Sequence, residues 1–441
     1  MRSIRPLMRA LSVLAAGFAP ALASGVPMAL TPGHADTPAA ELTPRTDPGW
    51  DAVFTRTDFW NAGDIGHSID LGDARTLWLF GDSIYGPVRD GKRIGGESKM
   101  FRAGIAWHAT PGGGGVPALD AVRFAAPEPF GDGPVAAWTM PAPGLFPAGS
   151  WYWLMNDGVR VATAAGPRVV LFATAIGPSG NPDGMWNFRR VGGAALTVEN
   201  PDDPPEAWRA THAVNPLVNA TGKHGERERA DENWAVAIVR DTNEDPSGTP
   251  GAPRETYFVF GVRNEPGRPH SLLVARADAE TLATPLAWEF FIGTGWSAAT
   301  GPATGARAGG VAEASSPAAE LCSGVPDEFT VQRVLRGEEY EYVLVQSEPM
   351  LGRRILVRTA RRPEGPWSEP KAVYEVTDLG PKGMTYAAKG HAHLSRPGEL
   401  LVSYVINAEF GRVFAEAGLY RPRFVRVPVE MLPEAPAVAR E

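Results

Sequence analysis

The sequence predicts an all-β fold, a five-bladed β-propeller, and three observations carry that expectation. A strand pattern recurs five times along the chain, and each unit holds one strongly apolar strand. No long amphipathic helix separates the units, which argues against alternating strands and helices. A polar residue stands at the same place in every unit, just before or within the strand that precedes the apolar one. Radial repetition explains that last feature, because the innermost strand of each blade lines the axis and one position per unit converges on a single cavity. Two β-sandwiches in tandem are the alternative, and they give the repeated polar position no reason to exist.

The elements follow in order. Arg2, Arg5 and Arg9 precede an apolar segment from Leu11 to Leu22 that is too short to span a bilayer, and Ala21-Leu22-Ala23 is a small-x-small cleavage site. Residues 1–23 therefore read as a signal peptide for secretion or export to the periplasm. Residues 24–48, rich in Pro, Ala and Thr, read as a tether, 49–430 as the propeller domain and 431–441 as a tail. The 50 Gly and 42 Pro are spread between apolar runs, as turns between many short strands require. The apolar strands are Thr76–Phe80, Arg168–Ala173, Thr256–Phe260, Tyr340–Val345 and Glu399–Tyr404, whose β-branched and aromatic content marks buried strands. Their polar marks are Gly63-Asp64, Asn156-Asp157, Asp231-Glu232-Asn233, Asp327-Glu328 and Gly390-His391. Third strands are expected at Ala103–Trp107, Ser271–Arg276, Arg354–Thr359 and Arg423–Val427. Two of these lead to a tryptophan, Trp288 and Trp367, placed to cover a blade's outer edge.

The formal net charge is −8, with no basic run beyond the N-terminus, so nucleic acid is an unsuitable partner. A neutral or weakly charged ligand is easier to accommodate. Cys322 is the only cysteine and forms no disulfide within the chain. Nucleophile-elbow, phosphate-loop and zinc-protease motifs are missing from the sequence. No cofactor and no metal is expected. His391 and His393 at i, i+2 lack an identifiable third ligand. No membrane anchor is expected beyond the leader, and a monomer is anticipated.

The first unit carries the chemistry. It reads Phe59-Trp60-Asn61-Ala-Gly-Asp64-Ile-Gly-His67-Ser, then Leu77-Trp-Leu-Phe-Gly-Asp82-Ser. Asp64 follows a glycine that lets the backbone turn, and Asp82 stands where an apolar strand leaves the core. Adjacent antiparallel strands bring the two together. Unequal desolvation then pushes their pKa values apart, leaving one carboxylate as base or nucleophile and one as acid. Glycoside hydrolysis needs such a pair. Trp60 offers an apolar face to a sugar ring, and Asn61, His67, Asn156, Asn233, Glu328 and His391 offer polar contacts around the axis.

The motif Gly-Asp64-x-Gly-x-Ser followed by Leu-Trp-Leu-Phe-Gly-Asp82-Ser resembles the opening of the proteins grouped as domain of unknown function 4185. Part of that group forms glycoside hydrolase family 183, endo-acting D-arabinanases. The Glu328 segment, the Leu356-Val-Arg-Thr-Ala360 strand with Pro366-Trp367, and Tyr404-Val-Ile-Asn407 are similar to the same group. The resemblance implies a five-bladed propeller, hydrolysis of a furanoside-containing polysaccharide, and Asp64 and Asp82 as the catalytic pair. The third unit's insertions and the 297–325 loop depart from the pattern, and such loops shape the substrate groove. Rival readings are a glycan-binding propeller without catalysis, a glycosidase of β-fructosidase or L-arabinanase type, and a metal-dependent enzyme built on His391 and His393.

Overall fold

The computed structural model describes residues 42–179, 188–221, 230–242, 255–298 and 316–438. The expected signal peptide, most of the tether, most of the 297–325 loop and the last three residues of the tail lie outside them. The described chain is all-β. Its main body is five antiparallel sheets, met in sequence order. The first holds His67–Asp70, Arg75–Phe80, Gly104–Ala109 and Arg123–Ala125. In the second, Trp151–Trp153 and Gly158–Thr163 both pair with Gly166–Pro178, followed by Phe188–Val198 and Ala210–Val214. The third runs Asp231–Asp241, Thr256–Asn264, Ser271–Ala277, Glu289–Phe291 and Trp296–Ala298. The fourth runs Phe329–Arg336, Glu339–Ser347, Arg354–Ala360 and Lys371–Glu375. The fifth holds Met384–Gly390, Glu399–Asn407, Pro422–Pro428 and, from the other end of the chain, Arg45–Thr46.

Strand alternation dictates how these sheets pack, because successive side chains leave opposite faces. Leu77, Leu79 and Ile105 of the first sheet meet Val169, Leu171 and Leu196 of the second. Val170 and Phe172, on the second sheet's other face, meet Trp234, Val259 and Leu273 of the third. Phe260, Val262 and Val274 meet Val331, Tyr342 and Leu344 of the fourth. Val343, Val345 and Val357 meet Val402, Tyr404 and Val425 of the fifth. Leu401 and Phe424 then meet Trp78, Phe80 and Phe124 of the first. The packing returns to its start, and each sheet is buried on both faces. Burial on both faces is why the apolar strands read as continuous hydrophobic runs.

Trp288 and Trp367 seal two of these interfaces. Their rings lie 5.7 Å from Phe172 and 6.1 Å from Phe260, each on the preceding sheet. The spacing of His391 and His393 at i, i+2 would put both on one face of a strand, but the local structure differs. The strand before His391 ends at Gly390, and Ala392–Leu394 is a 3-10 turn, so His391 and His393 do not share a strand face.

Candidate functional site

The first strands of the sheets run away from one end of the packing cycle, and the carboxylates gather where they begin. Asp64 precedes His67–Asp70, and its backbone pairs with the chain around Asp82: Asp64 N–H donates to the Asp82 carbonyl at 3.2 Å and Gly81 N–H to the Asp64 carbonyl at 3.3 Å. The turn that presents Asp64 comes after it, not before it. Ile65 and Gly66 take left-handed φ values of 70° and 59°, whereas Gly63 is tight because Trp60 and Ser83 press on it. A β-branched residue at positive φ is strained, and such strain gathers at functional sites.

Asp64 is 3 % exposed. Its Oδ2 accepts hydrogen bonds from the Tyr386 hydroxyl at 3.0 Å and the Tyr420 hydroxyl at 3.1 Å. Its Oδ1 is buried with no hydrogen-bond partner. Burial, then the charges of Asp82 and Glu328, push this carboxyl well above the ordinary aspartate range, and the two tyrosines oppose that. Asp82 is raised as well, by burial, but Arg102 opposes the rise and donates to its Oδ2 at 2.8 Å. The Asp82–Arg102 pair stays open to water, with side chains 22 % and 47 % exposed. Glu328 is the third carboxylate, pushed up to about 6 mainly by burial, with an unpartnered Oε2. Lys389 is fully buried, donates to the Phe329 carbonyl at 3.3 Å and is pushed down to about 8 by burial. Its charge opposes the rise at Glu328.

The second sheet supplies an aromatic wall. The Arg102 guanidinium lies 5.1 Å from the Trp151 ring, and Trp153 stands edge-on to Phe188. A Cβ on Gly81 would come within 2.2 Å of Trp153 Nε1 and 2.5 Å of Asp64 Oδ1, so indole and carboxyl crowd the same glycine. Trp153 Nε1, like Asp64 Oδ1, has no partner.

Of the residues singled out in the sequence, the structure brings together Asp64, Asp82 and Glu328. The other six have partners within the protein. Trp60 is 1 % exposed, stacked on Phe124 and beside Phe80. Asn61 donates to the Gly86 carbonyl and accepts from Arg93 Nε, both at 2.7 Å. His67 Nε2 lies 2.9 Å from Asp157 Oδ1, while Asp157 Oδ2 accepts from Ile238 N–H at 2.8 Å. One carboxylate thus ties the first three sheets together. Asn156 donates to Asn233 Oδ1 at 3.3 Å and to the Trp234 carbonyl at 3.0 Å, bridging the second and third sheets. His391 lies between Ser68 Oγ at 2.6 Å and Ser403 Oγ at 2.8 Å, and burial pushes it well below the usual histidine range.

The sequence reading missed Tyr386, Tyr420, Arg102 and Trp153. Tyr386 had a local signal, lying in the strand that opens the fifth unit. That strand bulges between Tyr386 and Lys389, with Ala387 at φ 54°, and bulges re-aim side chains beside sites. Asp231 and Glu232 are both engaged: Asp231 by Arg190 and Asn264, Glu232 by Arg263, Trp234 and the Ser316 N–H. Among the described residues no cluster of three His, Cys, Asp or Glu could hold a metal ion. No helix in them is long and apolar enough to cross a membrane. A cavity of about 850 Å³ lies at the far ends of the same first strands, lined by Asp70, Arg160, Arg240, Arg336 and His393, and none of the three clustered carboxylates borders it.

These features place the chain in a class of all-β, propeller-like proteins with a carboxylate cluster at one end of the first strands. Within that class it belongs to the family described as domain of unknown function 5005, which matches residues 47–429. No curated protein matches the chain. A protein of Bacteroides ovatus ATCC 8483, provisionally classed as a hydrolase, is similar with a TM-score of 0.59 at 20 % identity, over 88 % of this chain and 92 % of that one. That likeness is one of fold. A GH43_1 enzyme from Xanthomonas citri, solved with xylotriose, has a TM-score of 0.41 at 12 % identity, over 87 % and 93 % of the two chains. A GH43 β-xylosidase/α-arabinofuranosidase from a compost metagenome has a TM-score of 0.41 at 10 % identity, over 87 % and 94 %.

Proposed function

We propose that the chain is an exported glycoside hydrolase, a five-bladed propeller that cleaves a furanoside-containing polysaccharide of the D-arabinan type. The carrying observation is the unequal environment of Asp64 and Asp82. Asp64 is buried among carboxylates, and its Oδ2 is occupied as an acceptor by two tyrosines. A proton on this carboxyl therefore resides on Oδ1, the oxygen without a partner. Asp64 is the acid, giving that proton to the glycosidic oxygen as the bond to C1 breaks. Asp82, whose charged form Arg102 favours against the effect of burial and which is open to water, takes a proton from the attacking water or itself attacks C1. The charge of Glu328 helps keep the proton on Asp64, and its free Oε2 accepts from a sugar hydroxyl. Five sheets packed in a closed cycle support the blade count.

Hydrolysis is favoured over binding alone because Asp82 is not sealed into its ion pair. The test is incubation with a polysaccharide panel that includes D-arabinan, with products read by chromatography and their anomeric form by NMR. Asp64→Asn and Asp82→Asn should each lower turnover by about 10²–10⁴-fold. Wild-type turnover in both variants rejects the mechanism.

A further inference from the structure

Arg93 is a buried charge that the proposed chemistry does not use. It closes the short hairpin of Val88–Arg89 and Lys92–Arg93 and is 4 % exposed. No carboxylate among the described residues pairs with it. Its Nε donates to Asn61 Oδ1 at 2.7 Å. Its Nη1 donates to the carbonyls of Val413 and, at 3.3 Å, Glu416. Its Nη2 donates to the carbonyls of Asn61 at 3.1 Å, Ala417 at 3.0 Å and Leu419 at 2.8 Å.

Burying a cation without a counter-charge is costly, and a neutral side chain would hold a loop without that cost. The guanidinium offers a planar fork that serves many acceptors at fixed angles. Four of its six acceptors are carbonyls at and just beyond the C-terminal end of the short helix Phe410–Ala415, where a positive charge is favoured. That segment runs directly into Tyr420, whose own backbone is fixed by N–H donation to the Ile406 carbonyl and by acceptance from Gly63 N–H, both at 2.8 Å. The Tyr420 ring packs on Ala62 and Ile84. Asn61 and Gly63 belong to the strand Trp60–Gly63 that leads into Asp64. One guanidinium thus joins the strand carrying Asp64 to the segment carrying its hydrogen-bond donor.

We propose that Arg93 is a positioning residue of the carboxylate site: it holds the Tyr420 hydroxyl on Asp64 through the carbonyls of residues 413–419, with Asn61 orienting the fork. The catalytic meaning of this rests on Asp64 being the proton-bearing carboxyl. The test needs no substrate. The infrared band of the protonated Asp64 carboxyl, assigned by its loss in Asp64→Asn, is followed against pH in the full chain. The Tyr420 hydrogen bond favours the ionised form, so Tyr420→Phe should move the titration to higher pH. Arg93→Lys keeps the charge and loses the fork, and it should move the titration the same way. In the Tyr420→Phe background Arg93→Lys should add nothing, because both act through one contact. Asn61→Ala leaves Arg93 in place and should give a smaller shift in the same direction; it carries the test if Arg93→Lys does not fold. A wild-type titration in a folded Arg93→Lys or Asn61→Ala, or an undiminished Arg93→Lys shift without the Tyr420 hydroxyl, overturns the proposal. Absence of glycan hydrolysis would defeat the proposed function and leave this titration result standing.

Discussion

Asp64 is a carboxyl that the fold prefers uncharged. Burial and two neighbouring acids raise it, and only two tyrosine hydroxyls favour its ionised form. The sign of the stability effect follows. Folding retains the proton, so this group's favourable contribution is complete below the unfolded value of 3.8 and is lost as pH rises through the folded pKa. Asp64→Asn keeps the shape and carries no charge, so it should melt higher than wild type at neutral pH. The gap should close as pH falls towards 4, and thermal melts across that range measure it. Equal melting temperatures at pH 7 would mean that Asp64 is not held protonated. The rate profile has the matching form. Activity should appear as Asp82 ionises, above the ordinary aspartate range, and should fall again as Asp64 loses its proton, with Glu328 adding a titration near 6.

At the scale of single elements, the apolar strands were legible and the contacts of the site were only partly so. Arg75–Phe80 or Glu339–Ser347 announces itself because both faces are buried, and the apolar run is continuous. Asp64 and Asp82 were legible because each interrupts such a pattern beside a glycine. Tyr386 and Tyr420 reach Asp64 across 322 and 356 positions of sequence; the place of Tyr386 in the first strand of the fifth sheet is a local sign that it faces the site, but nothing local marks the Tyr420 hydroxyl for so distant a partner. Asn156, Asn233 and His391 carried the same repeated polar signal as Glu328. A polar residue on an axial strand serves equally well to bridge neighbouring sheets, and that is where these three are engaged. The short strand Trp151–Trp153 is the element whose role only the packing reveals, since it lays an indole against Gly81. Gly81→Ala sets a methyl on Trp153 and Asp64 at once, and both must move. We expect a stability loss of about 1–3 kcal/mol together with a fall in turnover of about 10²-fold. Thermal melts and single-substrate kinetics report the two effects separately. Wild-type kinetics in the variant would show that the position of Asp64 does not matter.

For the whole molecule, the decisive question is how the cycle of sheets is closed, because a ring of packed sheets is only as cooperative as its seam. The seam lies between the first and last sheets and is closed by the chain's own beginning. Arg45–Thr46 pairs with Val425 and Arg426 of the fifth sheet. Asp47 then caps the helix Pro48–Val53 by accepting from Trp50 N–H at 3.1 Å, and its other oxygen accepts from Arg426 Nε at 2.5 Å. Trp50, fully buried, packs between Trp78 of the first sheet and Phe424 of the fifth. One aspartate therefore couples a cap, a buried ion pair and the joint between sheets that are far apart in sequence. Asp47→Ala leaves Arg426, 1 % exposed, with the more distant Glu399, 3.7 Å from its Nη1, as its one remaining carboxylate among the described residues. Breaking a buried pair in this way costs about 3–5 kcal/mol. The loss should fall on the whole ring and not on one sheet, so chemical denaturation should shift to a lower midpoint with a single transition. Hydrogen exchange should quicken at Glu399–Asn407 and at Arg75–Phe80 alike, the strands on either side of the seam. Exchange confined to the fifth sheet would mean that the sheets fold as independent units and that the closed cycle confers no shared stability.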